Sequence, residues 1–394
     1  MLTSESGKMD RFSGCGILWC CLKFLGIDIL KSRDEDKIQV QNSAVKKFAN
    51  KVAKFLYPLI LHVMQVYALV SWTILYSHGA ATIEVLISFC VSNLFSMALW
   101  QDVNSKKNIV RSLVTKCHHL AYLLDVRRKQ NNTVVNLSLF LSICTLVVLT
   151  AFYGFVISES SPEYIMYYSV FKTFGNHNIV SILVRSVMIL ITFSILYLVP
   201  SLVAIFVCAM YCKVSSLFRG MYENVKNVLK FAPQYKQVFE VMQKYNHLYQ
   251  LAHQTERAFS LTALLLLCSQ CLSVYLVLVT FFKVENESFS YALYWESIVR
   301  LIMGPLSITA VVLCGSSIAS QVRKIQTCLQ MIHSSLLYDA DKNHKTLQLV
   351  SSMLNMEFPQ MTAYGVLELK PSLILTSLGS VLTYGLLVLN IKKT

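Results

Sequence analysis

Thr376, Ser380, Thr383, Leu387 and Asn390 follow one another at spacings of 4, 3, 4 and 3. At about 100° per residue they share one helical face about 80° wide. Leu375, Leu378, Leu382, Leu386 and Leu389 lie largely off that face. Two readings suit such a stripe. Small polar residues let helices approach closely, so it suits a tight helix contact. Alternatively it faces water in a pore, and because one helix cannot enclose a pore, several subunits must then surround an axis. Towards the end of the helix the stripe narrows to Leu387, Asn390 and Ile391. A ring of apolar side chains there gates by dewetting, with the Asn390 amide available to passing ions.

Charges inside apolar runs are the next signal. Glu84, Arg185 and Arg300 each lie in one. A charge at membrane depth is costly and faces water, a partner or a ligand. The plainer reading is that Glu84 pairs with an arginine as structural glue, or that all three snorkel to the interface. His62, midway along an apolar run, reads as a packing residue. His118 and His119 have no Cys or acid at ligand spacing, and the Cys268-x-x-Cys271 pair lies within an apolar run. No nucleotide loop, metal cluster or triad is visible, so neither an enzyme nor a cofactor is expected.

The elements that must position these residues are membrane helices. The chain is 55% hydrophobic and 14% charged over 394 residues, against about 25% charged in soluble proteins. Its net charge of +14 falls mostly between long apolar runs, which excludes nucleic acid as a partner. A spanning helix needs about 20 apolar residues. Seven runs qualify: 55–77, 81–100, 134–157, 180–210, 259–282, 297–318 and 371–391. The fourth is overlong and holds Pro200, which predicts a kink or a helix continuing past the bilayer. Gly14 to Leu30, broken by Lys23 and Asp28, reads as an amphipathic surface stretch and not as a cleaved signal.

Lysine and arginine set the orientation. The segments up to 54, 101–133, 211–258 and 319–370 carry ten, seven, seven and five of them, and the opposite side carries Lys172, Lys283, Lys392 and Lys393. That is 29 against 4, with Arg185 and Arg300 in spans. The expectation is an all-α membrane protein of seven transmembrane helices, with a cytoplasmic N-terminus and an extracellular C-terminus. No cysteine falls in an outer loop, so no extracellular disulfide is expected. Cys15, Cys20 and Cys21 read as apolar packing or as palmitoylation sites. Of the sequons at Asn131, Asn136 and Asn286, Asn286 alone lies outside and is the glycosylation candidate. In the fourth inner segment Val322, Ile325, Leu329, Ile332 and Leu336 recur at helical spacing, and Leu347, Val350, Leu354 and Phe358 continue beyond the turn at 339–343. Such apolar faces must be buried, which predicts a cytoplasmic helical anchor layer.

Thr362 to Ile391, TAYGVLELKPSLILTSLGSVLTYGLLVLNI, resembles the C-terminal signature of insect gustatory receptors. Ala363, Gly365, Glu368, Gly379, Thr383 and Tyr384 match it, five apolar positions follow, and Asn390-Ile391 stands where the signature has Gln-Phe. The resemblance implies a subunit of a tetrameric, ligand-gated, nonselective cation channel, homomeric or heteromeric. The last helix would line the pore and the gate would lie at Leu387, Asn390 and Ile391. The chain divides accordingly into a cytoplasmic N-terminal segment (1–54), six helices with a sensing outer half (55–318), anchor helices (319–370) and the pore helix (371–394). The resemblance places a tastant pocket in the outer half. Glu84, Phe152, Tyr153, Arg185, Tyr275, Tyr294, Trp295 and Arg300 lie at that depth, with Glu296 beside them. Aromatic and polar groups together suit a medium-sized organic ligand. Its implied partners are a small-molecule tastant, permeant cations and the lipid bilayer, and its implied place is the plasma membrane of gustatory neurons. A G-protein-coupled receptor, a transporter and, within the family, an odorant receptor are the alternatives.

Overall fold

The computed structural model describes residues 16–24, 44–77, 83–126, 132–156, 179–230, 234–283, 291–338 and 340–391. These residues are nearly all helical. In chain order they form α1 (Gly16–Phe24), α2 (Ala44–Ser77), α3 (Ile83–Ser105), α4 (Lys107–Leu123), α5 (Asn132–Val156), α6 (Ile179–Phe193), a π turn (Ser194–Leu198), α7 (Val199–Lys230), α8 (Tyr235–Lys283), α9 (Tyr291–Tyr338), α10 (Ala340–Leu354) and α11 (Ser372–Ile391). Two short antiparallel strands, β1 (Thr362–Ala363) and β2 (Leu367–Glu368), separate α10 from α11.

The described part of six of the seven apolar runs falls wholly on helix, and the seventh does so from Ser372 onward. Four helical stretches are long and apolar enough to cross a membrane: Thr133–Tyr153, Val180–Leu229, Tyr235–Leu278 and Ser297–Tyr338. Pro58–Ser71 and Ser372–Tyr384 are shorter apolar helices.

Two helices, α8 and α9, greatly outrun a bilayer. The 49 residues of α8 extend about 74 Å at 1.5 Å per residue. Its burial pattern explains why it does not break at the membrane boundary. Val238, Val241, Tyr245, Leu248, Ala252, Thr255, Phe259, Thr262, Leu266 and Ser269 are all buried. They alternate spacings of three and four, so one seam runs from the polar half into the apolar half. In α9 the series Ile318, Val322, Ile325, Leu329, Ile332 and Leu336 does the same. A repeat near 3.5 residues keeps two helices in register along a shared seam. Helices α7 and α9 share the most extensive contact, and α8 packs on α9, α3 and α7.

Pro200 is accommodated by the π turn just before it. A proline ring clashes with the carbonyl four residues back and donates no hydrogen bond to it. Here the Val199 N–H reaches Ser194 O, five residues back, which widens the helix and lets it run on to Lys230.

The anchor region differs from a purely helical layer. The apolar face of α9 is buried as its periodicity requires, and Val350 and Met353 of α10 join it. Phe358, however, lies beyond α10, and its ring meets Phe218, Tyr245 and Tyr249 edge-on at 5.2, 5.1 and 5.5 Å. Pro359 and Pro371 bracket the next stretch, which forms the hairpin instead of more helix.

Candidate functional site

Helix α11 presents three sectors. Leu373, Ile374, Ser377, Leu378 and Val381 are half-buried against the protein, where α11 meets α8 and α9. Leu375, Leu382 and Leu386 form a second, exposed sector. Thr376, Ser380, Thr383 and Leu387 form the third and are also exposed. The stripe therefore points away from the helix's own packing face. The Thr376 hydroxyl donates to Ser372 O at 3.1 Å and that of Thr383 to Gly379 O at 2.8 Å. With the protons turned back onto the helix, the oxygen lone pairs remain to face outward. A side chain added at Gly379 would meet nothing within 4 Å. Asn390 and Ile391 continue the helix, but their side chains lie outside the described residues.

The hairpin before α11 is fastened to α8. Glu256 and Ser260 lie one turn apart on that helix. The Thr362 N–H donates to Glu256 Oε2 at 3.0 Å, and the Thr362 hydroxyl donates to Oε1. The Tyr364 N–H donates to Ser260 O at 3.1 Å. The turn has positive φ at Tyr364 (56°) and Gly365 (70°). Glycine adopts this freely, whereas a bulky residue held there costs about 1–3 kcal/mol and persists where its surroundings determine it. Ala363 and Leu369 are buried. Leu369 fills a socket between Tyr211 and Gly315, where an added β-carbon on Gly315 would lie 2.7 Å from Leu369 Cδ1. Burial raises the Glu256 carboxyl from its usual range, against the lowering effect of the Thr362 bonds and the nearby His253. This cluster was missed from sequence because it joins residues 106 positions apart.

A second missed contact lies between α3 and α8. Buried Asp102 accepts a hydrogen bond from the Thr262 hydroxyl at 2.6 Å and pairs with Lys106 at 2.9 Å.

In the other half of the bundle, two of the expected ligand residues are linked through two that were not expected. Tyr153 packs edge-on against Phe193 (4.9 Å), and Phe193 against Tyr197 (5.3 Å). Tyr197 lies within the π turn. Arg300 of α9 lies 5.2 Å from the Tyr197 ring centroid, and its Nε donates to the Tyr197 hydroxyl. Residues 193 and 197 are spaced to share a helix face, and Tyr197 lies three residues before Pro200. That spacing was the available signal. Arg185, on α6, is buried at 2% exposure and bonds Ser181 Oγ at 2.6 Å. Phe152 and Tyr275 are half-buried, and no ring contact among the described residues joins Tyr275 to the Tyr153–Arg300 series. The side chains of Glu84, Tyr294, Trp295 and Glu296 lie outside the described residues, as does Asn286 altogether. His62 packs edge-on to Trp100 at 6.2 Å, with Nδ1 2.6 Å from Pro58 O.

No protein-family model and no curated protein matches the sequence. Solved structures do. The chain is similar to the insect olfactory receptor OR5 from Machilis hrabei, with a TM-score of 0.66 and 12% identity over 97% of this chain and 100% of that one. It is equally similar to the same receptor in complex with eugenol, with a TM-score of 0.67, 12% identity and the same coverage. At 12% identity the likeness is one of fold, and along nearly its whole length the chain has the fold of an insect olfactory receptor.

Proposed function

We propose that this chain is a subunit of a ligand-gated cation channel of the insect chemoreceptor type, with seven transmembrane helices, an inner N-terminus and an outer C-terminus. The observation that carries the reading is the direction of the α11 stripe. Thr376, Ser380, Thr383 and Leu387 are turned away from their own subunit. Four copies around an axis would give this face a water-filled lumen and bury the exposed leucine sector against neighbours. Outward hydroxyl lone pairs favour cations, and the lack of a charge on the stripe fits weak selectivity. Leu387 and Ile391 would close the pore by dewetting, with Asn390 hydrating ions between them. Gly379 supports close assembly: a helix-interior glycine costs about 1 kcal/mol, and nothing in its own subunit needs the room.

The ligand site would lie around the Tyr153–Phe193–Tyr197–Arg300 series, with Phe152, Arg185 and Tyr275 near it and Glu84, Tyr294 and Trp295 at the same depth. One similar receptor was solved with eugenol, which supports a small organic ligand here. Between taste and smell, the Thr383-Tyr384 ending with its amide at Asn390 favours a gustatory role, while the named structures are olfactory receptors and fit the odorant alternative equally well. Ligand-induced shifts of α8 and α9 would reach α11 through the Glu256–Thr362 hairpin.

Agonist screening with current recording after heterologous expression tests the reading. Leu387→Ala and Asn390→Ala should change gating or permeation. Unaltered currents in both variants would remove α11 from the pore.

A further inference from the structure

Three thiols meet between α7 and α9, and neither the gate nor the aromatic series uses them. Cys208 and Cys212 lie one turn apart on α7, and Cys314 faces them from α9. The Cys212 thiol donates to the Cys314 sulfur at 3.4 Å. The Cys314 thiol is also within hydrogen-bond reach of Cys208. All three are free cysteines, with Cys212 exposed and the others half-buried. Among the described residues, no group of three or more His, Cys, Asp or Glu is placed to hold a metal ion, so the chemistry of this cluster is that of thiols. A disulfide has its sulfurs at about 2.05 Å. Closing the present gap takes about 1.4 Å.

We propose that Cys212 and Cys314 are a redox-sensitive pair that hydrogen peroxide converts to a disulfide. The exposed Cys212 sulfur attacks a peroxide oxygen, the O–O bond breaks, and water leaves with the thiol proton. This gives a sulfenic acid at Cys212. The Cys314 sulfur then attacks the Cys212 sulfur, the S–O bond breaks, and a second water leaves. Two electrons pass from two thiols to one peroxide. Exchange with a small-molecule thiol restores the pair. By the charge map the cluster lies near the inner membrane boundary, where the reducing compartment keeps it as dithiol at rest.

Its position gives the oxidation a consequence. Tyr211 and Gly315, the chain neighbours of the pair, form the socket for Leu369. A covalent tie between α7 and α9 at this level fixes that socket and holds the hairpin that leads into α11.

The test uses the full-length chain in membranes and depends on no agonist. The protein is treated with hydrogen peroxide, alkylated with iodoacetamide, digested and analysed by mass spectrometry with and without reduction. The expected result is a linked peptide holding Cys212 and Cys314, with alkylation lost at both and regained after dithiothreitol. Hydrogen exchange across residues 361–369 should slow on oxidation of the wild type and stay unchanged in Cys212→Ser. Full alkylation at both residues after peroxide, or a link from Cys208 to Cys314 in place of the expected one, would overturn the assignment. Unchanged exchange in the oxidised wild type would overturn the effect on the hairpin. The wild-type digest decides the chemistry even if the variant folds poorly.

Discussion

Glu256 receives both the backbone N–H of Thr362, at 3.0 Å, and its hydroxyl, although the two residues lie 106 positions apart. The contact joins a membrane-crossing helix to the hairpin that launches α11. A hydrogen bond to a charged group contributes about 1.5–3 kcal/mol, and this half-exposed one belongs at the lower end of that range. Thr362→Val should therefore destabilise hairpin docking by about 1–2 kcal/mol, read as faster hydrogen exchange across 361–369. Wild-type exchange in Thr362→Val would show that the contact does not hold the hairpin.

The same carboxylate makes folding stability depend on pH. Burial raises the folded-state value of Glu256 above its ordinary 4.5, against the lowering effect of the Thr362 bonds, so the folded chain holds the proton more tightly than the unfolded one. Its contribution is fully present below the ordinary value and is lost as pH rises through the raised one. The Tm of the wild type should fall across that window. Glu256→Gln keeps one acceptor oxygen and removes the titration, so its profile should be flat. A slope that survives in Glu256→Gln would show that Glu256 is not its source.

Gly315 and Leu369 should behave as one packing unit. Gly315→Val drives a side chain into the space Leu369 fills, and overpacking costs about 1–3 kcal/mol. Leu369→Ala should recover much of that loss in the double variant, a coupling visible in thermal unfolding. Additive losses would mean the two sites relax independently.

On the proposed reading, Tyr197 and Arg300 help form the ligand site. Tyr197→Phe keeps the ring and removes the hydroxyl that accepts from Arg300 Nε. Loss of about 1 kcal/mol corresponds to roughly a fivefold higher half-maximal agonist concentration, with maximal current preserved. An unchanged concentration dependence in both Tyr197→Phe and Arg300→Ala would separate this series from ligand recognition.

Thr262→Val leaves Asp102 with Lys106 but without its partner on α8. A buried acceptor losing a partner costs about 1–3 kcal/mol, measurable as a lower Tm. No change in Tm would show that water replaces the hydroxyl.

Much of the architecture was legible in local pattern. Apolar run length marked the helices, and the spacing of Val322, Ile325, Leu329, Ile332 and Leu336 marked a face that the structure buries. These are short-range properties, since a helix's period and the cost of exposing apolar surface act within a few turns. The 4-3-4-3 row on α11 was visible for the same reason. The continuous seam of α8, from Val238 to Ser269, was not read from the sequence, because it crosses from a charged stretch into an apolar one and composition conceals a period that spans both.

The tertiary structure decided what lies across the bundle. Phe193 and Tyr197 look like ordinary span residues until the π turn before Pro200 brings Tyr197 to Arg300, 103 positions away. Glu256 and Thr362, Asp102 and Thr262, and Cys212 and Cys314 are likewise unremarkable in sequence. Their pairing follows from how long helices register against one another, a sum of many side-chain contacts that no single stretch encodes. The sequence by itself determined the helices and the two alternative meanings of the α11 stripe. Packing decided which face of α11 its own subunit covers: α8 and α9 take the Leu373–Val381 side, so Thr376, Ser380, Thr383 and Leu387 are left facing outward.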